Sequence, residues 1–167
     1  MAGTEIDELV RNAHDHEADF PGMRAVVPAR HVAIVTCMDS RIDNFAIFGL
    51  ESGEAHIIRN AGGLITDDVL RSLVVSQRVL QTREVVLVHH TNCGLHNADE
   101  EAMRAAIRSE TGAEPPYRFG AFTDLDEAVR RAIALVREHP FLPHRDRVRG
   151  FVYDVHTGHL REVAPGT

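Results

Sequence analysis

HVAIVTC, residues 31–37, is a nearly unbroken β-branched run that ends on a cysteine. A strand apolar on both faces belongs to a sheet covered on both sides, the usual state of a parallel sheet. REVVLVHH (83–90) reads the same way, and GEAHIIRN (53–60) is a weaker strand. Around these lie stretches with apolar residues at helical spacing. TDDVLRSLVVSQRVLQT (66–82) has Thr66 as N-cap and acids in its first turn. NADEEAMRAAIRSETG (97–112) has Gly112 past its end, and DLDEAVRRAIALVREHP (124–140) is stopped by Pro140. RGFVYDVHTGHLREV (149–163) splits into two short strands around Thr157–Gly158. The alternation predicts an α/β fold, a mostly parallel β-sheet flanked by helices and joined by right-handed crossovers. Residues 1–167 form a single domain. Residues 1–25 stand outside the alternation as an N-terminal arm, whose helix is expected to pack on a partner subunit.

Composition narrows the function. At 44% hydrophobic and 26% charged residues, the chain is globular rather than disordered. A net charge of −7 argues against a nucleic-acid partner, which needs a basic surface. All 18 basic residues are arginine, so Schiff-base and lysine general-base chemistry are excluded. No apolar run approaches the roughly 20 residues that cross a bilayer. The acidic, amphipathic start lacks a signal peptide's basic and apolar regions, so a cytoplasmic protein with no membrane partner is expected. In that compartment a disulfide between the two cysteines, Cys37 and Cys93, is disfavoured.

Three motifs fall at strand ends, where open parallel sheets bind their ligands. In Cys37-Met38-Asp39-Ser40-Arg41, an extended backbone would project Cys37, Asp39 and Arg41 to one side. Arg41 can then hold the Asp39 carboxylate ionised. Alone, the motif is equally a strand-end cysteine followed by a surface ion pair. In His90-Thr91-Asn92-Cys93-Gly94, a histidine and a cysteine three apart can bite one metal ion, and strand alternation turns His89 to the other face. Two thiolates and one imidazole suit zinc, with a fourth position left open, and argue against magnesium or calcium. Alone, His-x-x-Cys leaves metal binding undecided. In Arg59-Asn60-Ala61-Gly62-Gly63, adjacent glycines allow either a tight turn or close approach of backbone amides to an anion or polar oxygen.

CMDSR, RNAGG and HTNCG, in this order and at these separations, resemble the signature of β-class carbonic anhydrases. The resemblance runs from about Val32 to about Asp154 and is closest to the compact prokaryotic branch rather than the longer plant-type enzymes. It implies that Cys37, His90 and Cys93 bind a zinc ion (Zn2+), and that Asp39 and Arg41 form the catalytic dyad. Asp39 becomes the fourth ligand in a closed form. Gly62, Gly63 and Gly94 are expected around the substrate. The implied reaction is reversible hydration of carbon dioxide to bicarbonate and a proton by zinc-hydroxide attack, in a homodimer or higher homo-oligomer. With two thiolates on the ion, mildly alkaline conditions should favour it. Hydrolysis of carbonyl sulfide or carbon disulfide by the same attack is the alternative. A non-catalytic zinc- or bicarbonate-binding protein and a redox-active cysteine pair stand further off. The family's tryptophan-dependent inhibitory bicarbonate site is not carried over, because the chain has no tryptophan. Of the remaining histidines, His96 follows Cys93 closely enough to be considered as a proton shuttle, with nothing further to single it out.

Overall fold

The computed structural model describes residues 4–166. Five strands form one sheet in the order β2-β1-β3-β4-β5. They are β1 (Val32–Cys37), β2 (Ala55–Asn60), β3 (Glu84–His90), β4 (Val148–Tyr153) and β5 (Leu160–Val163). The first four are parallel, and β5 returns antiparallel to β4. The helices are α1 (Glu5–Ala18), α2 (Asn44–Phe48), α3 (Asp67–Arg78), α4 (Glu100–Thr111) and α5 (Leu125–Glu138). Among the described residues no helix is long and apolar enough to cross a membrane.

Each long helix starts where a side chain satisfies its free amides. Thr66 caps α3, Asp99 caps α4 and Asp124 caps α5, each accepting a backbone N–H from the first turn. Gly112 ends α4 in the left-handed region that glycine enters at no steric cost. α3 and α5 share one core. Val69 and Leu73 from α3 join Val129, Ile133 and Val136 from α5 against Ala33, Val35, Val85, Leu87 and Val148. The strand residues alternate, so both helices cover the same face. Truncating the fully buried Leu73 to alanine there would cost about 2–5 kcal/mol. The β1-to-β2 connection runs the opposite way along the sheet from β2-to-β3 and β3-to-β4. That connection carries α2, whose Ile47 packs against the cluster around Cys37 and Cys93. The short α2, capped by Asp43 and closed by Gly49 in the left-handed region, had no periodic signal long enough to be read from sequence.

The arm behaves differently. Thr4 and Asp7 form a capping box, so α1 begins well, yet none of its residues is buried. Ile6, Leu9 and Val10 lie 70%, 66% and 48% exposed. Phe20, Met23 and Val26 follow, exposed as well.

Candidate metal centre

β1 and β3 are adjacent and in register, Thr36 opposite Val88, so Cys37 and His90 arrive at the same carboxyl edge of the sheet. The turn after β3 returns Cys93 to them. One ligand atom from each of Cys37, His90 and Cys93 lies within 4.8 Å of the others, and all three residues are buried. Both cysteines are free thiols. His89, one residue earlier, faces the α5 side, edge-on to Phe122, and burial pushes its pKa down to about 4.

The donor set fits a metal ion on two counts. His90 Nδ1 lies 3.0 Å from the Thr91 carbonyl, which requires that nitrogen to carry the proton. In the neutral ring Nε2 then carries the lone pair, and that atom is buried without a hydrogen-bond partner. The thiols disagree in a telling way. Burial pushes Cys37 up, but the His90 ring and the amides of Asp39 and Gly62 outweigh it and bring the thiol down to about 7. Burial raises Cys93; the Leu95 amide opposes this, and a charge on Cys37 drives it higher. Two thiolates this close need a cation between them, and an imidazole lone pair aimed at the same point completes a zinc-type set.

Beside this group sits the dyad, reached by a different backbone from the one the sequence suggests. The chain does not stay extended past Cys37; it turns at Ser40–Arg41, with the Ile42 amide bonded to the Asp39 carbonyl at 3.1 Å. The turn itself brings the two side chains together. Asp39 Oδ1 accepts the Arg41 amide at 3.0 Å and Arg41 Nε at 2.9 Å, and Oδ2 accepts Nη2 at 2.6 Å. This two-pronged bond holds the Asp39 carboxyl far below the usual carboxylate range, against the opposing effect of burial. Oδ2 is also 3.9 Å from His90 Nε2. A third contact was not legible: Arg41 Nη2 donates to the Asn92 carbonyl at 2.9 Å. Asn92 adopts φ +54°, a left-handed conformation that asparagine tolerates, and that tolerance was the only available clue.

The surroundings on one side are apolar. Ile42 and Leu95 are buried against the two cysteines, with Ile47, Leu64, Phe119, Phe122 and Tyr153 packed around them. Gly62 and Gly63 form a short 3₁₀ turn after β2. At Gly63 a Cβ would stand 3.0 Å from the Cys37 nitrogen and 3.1 Å from the Val88 carbonyl oxygen, so only glycine lets this turn close on both strands at the site. Gly94 is exposed, with open space beside it. His96 Nε2 lies 3.1 Å from the Thr123 carbonyl, and its imidazole stacks on Phe122.

Comparison with known proteins gives a consistent result. The family described as carbonic anhydrase matches residues 32–160. β-Carbonic anhydrase 1 of Mycobacterium tuberculosis is 43% identical over 162 residues, covering 97% of this chain and 99% of that protein. A carbon disulfide hydrolase of Acidithiobacillus thiooxidans is 31% identical over 174 residues, with 87% of each chain covered. Among solved structures, the carbonic anhydrase from Streptococcus mutans superposes with a TM-score of 0.91 at 38% identity, over 98% of this chain and 100% of that one.

Proposed function

The chain belongs to the β-carbonic anhydrase family, and on that premise we propose that it hydrates carbon dioxide reversibly to bicarbonate and a proton, with one zinc ion held by Cys37, His90 and Cys93. The observation that carries this is the buried, unpartnered His90 Nε2 facing two free thiols, with an ionised carboxylate beside it. When bound, zinc supplies Lewis acidity that lowers the pKa of water from about 15.7 toward neutrality, less strongly where two thiolates cancel its charge.

The chain's own groups do the rest. Asp39 stays ionised because Arg41 grips both of its oxygens. It can therefore accept an O–H hydrogen bond from the attacking water and turn that water's lone pair toward the carbon of the substrate. Arg41 keeps the carboxylate from swinging toward the cysteines and histidine. Ile42, Leu95 and their aromatic neighbours exclude bulk water and offer a neutral, apolar gas a place without charged anchors. Gly62, Gly63 and Gly94 act as small walls around the substrate. A reducing compartment such as the cytoplasm suits the site, because both sulfurs must stay reduced.

Carbon disulfide hydrolysis is the second reading, favoured by relatives that carry that name at 26–31% identity. The 43% likeness to a β-carbonic anhydrase favours carbon dioxide. Stopped-flow hydration of carbon dioxide, run beside hydrolysis of carbonyl sulfide and carbon disulfide on the same zinc-loaded preparation, decides the question. Faster turnover of a sulfur substrate would reverse the assignment.

A further inference from the structure

Arg59 lies on the edge strand β2, and its side chain reaches across to the segment that leaves β1. Nε donates to the Cys37 carbonyl at 3.0 Å, and Nη2 donates to the Asp39 carbonyl at 2.7 Å. Between them, the Met38 amide donates to the Asn60 carbonyl at 2.8 Å. Three consecutive residues are thus fastened to β2, just where the β1–β2 ladder ends at Cys37 opposite Asn60. Cys37 contributes a sulfur to the metal group and Asp39 the carboxylate beside it. Both bonds from Arg59 go to main-chain oxygens, so it acts on the site through the backbone. A planar guanidinium can span two carbonyls two residues apart; a lysine ammonium, a point donor on a flexible stem, cannot hold both in a fixed relation.

We propose that Arg59 is a positioning residue for Asp39, setting the direction in which that carboxylate leaves the backbone relative to the Cys37 sulfur. The proposal rests on the carbon dioxide reading given above. The turn at Ser40–Arg41 hangs from the Asp39 carbonyl, which also accepts the Ile42 amide at 3.1 Å. If that carbonyl moves, Asp39 and Arg41 move together, and their mutual ion pair does nothing to restore their place relative to Cys37. The Arg41 bond to the Asn92 carbonyl ties the turn to the His90–Cys93 segment; Arg59 supplies the tie on the Cys37 side. A displacement of about 1 Å at a reacting group can cost about 10²-fold in rate.

The test uses the full chain with Arg59→Ala, Arg59→Lys, Asp39→Asn and the Arg59→Ala/Asp39→Asn double variant. Two readouts are taken: kcat and KM for carbon dioxide in the zinc protein, and the visible spectrum of the cobalt(II)-substituted protein, which reports the coordination around the thiolates. Arg59→Ala should lower kcat about 10–100-fold with little change in KM, and should shift the cobalt spectrum. Arg59→Lys should recover part of the loss, and added methylguanidinium should recover part of it in Arg59→Ala. In the Asp39→Asn background the same substitution should cost about twofold or less, because both residues act through one group. A full additional loss in that background, or wild-type kcat and spectrum in Arg59→Ala, overturns the proposal. Should Arg59→Ala fail to fold, Arg59→Lys takes its place in the same cycle. Absence of carbon dioxide hydration in the wild type would instead overturn the functional reading, while the cobalt spectra still decide the role of Arg59.

Discussion

Arg41 Nη2 donates to the Asn92 carbonyl at 2.9 Å, joining two segments 51 positions apart in the chain. The same nitrogen is 2.6 Å from Asp39 Oδ2. The turn that carries His90 and Cys93 and the turn that carries Asp39 are therefore one mechanical unit, with Arg41 as the joint. An ion pair confined to the surface would have no reason to bond the main chain between two metal-type residues.

Asp39→Asn should keep its zinc and lose about 10²–10⁴-fold in carbon dioxide hydration, the range for a positioned acid–base or hydrogen-bonding group. Arg41→Lys should fall between wild type and Asp39→Asn, since an ammonium cannot grip both Asp39 oxygens and the Asn92 carbonyl together. Stopped-flow rates, with zinc content measured in each protein, check this. Wild-type rates in both variants would reduce the dyad to a surface ion pair.

Purified protein should carry about one zinc per subunit, bound by two sulfurs and one nitrogen. Cys37→Ala, His90→Ala and Cys93→Ala should each lose the metal and the activity together. Elemental analysis after dialysis is the measurement, and full zinc retention in Cys93→Ala would remove that residue from the ligand set.

What could be read in advance, and what could not, divides along physical lines. β1 and β3 were legible because strands covered on both faces must be apolar throughout, and α3, α4 and α5 because their caps and periodicity agree. Cys37, His90 and Cys93 were legible as strand-end residues of zinc-type chemistry. The turn at Ser40–Arg41 was not, because it depends on a side chain bonding its own backbone, which an extended reading of Cys-x-Asp-x-Arg passes over. Arg59 and Asn92 escaped for a different reason. Their bonds join residues 20–51 positions apart, and local pattern carries no information about which distant carbonyl a guanidinium will find.

The arm yields a prediction about assembly. Ile6, Leu9 and Val10 make an apolar stripe on a helix that buries nothing within its own chain. A second copy of the chain is the expected cover. Removing residues 1–20 should convert an oligomer into dissociated or insoluble protein, read by light scattering coupled to gel filtration. A well-folded, fully active monomer after that truncation would refute the idea.

Glu100 supplies the last prediction, on pH. At the start of α4 its carboxylate accepts the amides of Phe119, Gly120 and Ala121 at 3.3, 3.1 and 3.2 Å. That loop carries Phe119 and Phe122 onto the cluster around Cys37 and Cys93. Burial raises the Glu100 pKa, but the three amides overcome it and hold the carboxyl below its ordinary 4.5. The sign follows from linkage: a group whose folded pKa is depressed contributes fully above its unfolded pKa, and the contribution is lost as pH falls through the folded value. Glu100→Gln replaces one acceptor oxygen with an N–H donor facing other donors, so the loop should loosen at neutral pH. Hydrogen exchange of the 119–121 amides, corrected for intrinsic rates, should be faster in Glu100→Gln than in wild type at pH 7. The two proteins should still differ at pH 4.5 and converge only as the pH falls further, through the depressed folded-state value at which the wild-type carboxylate takes up its proton. Equal protection at pH 7 would mean that the aromatic packing alone holds the loop over the site.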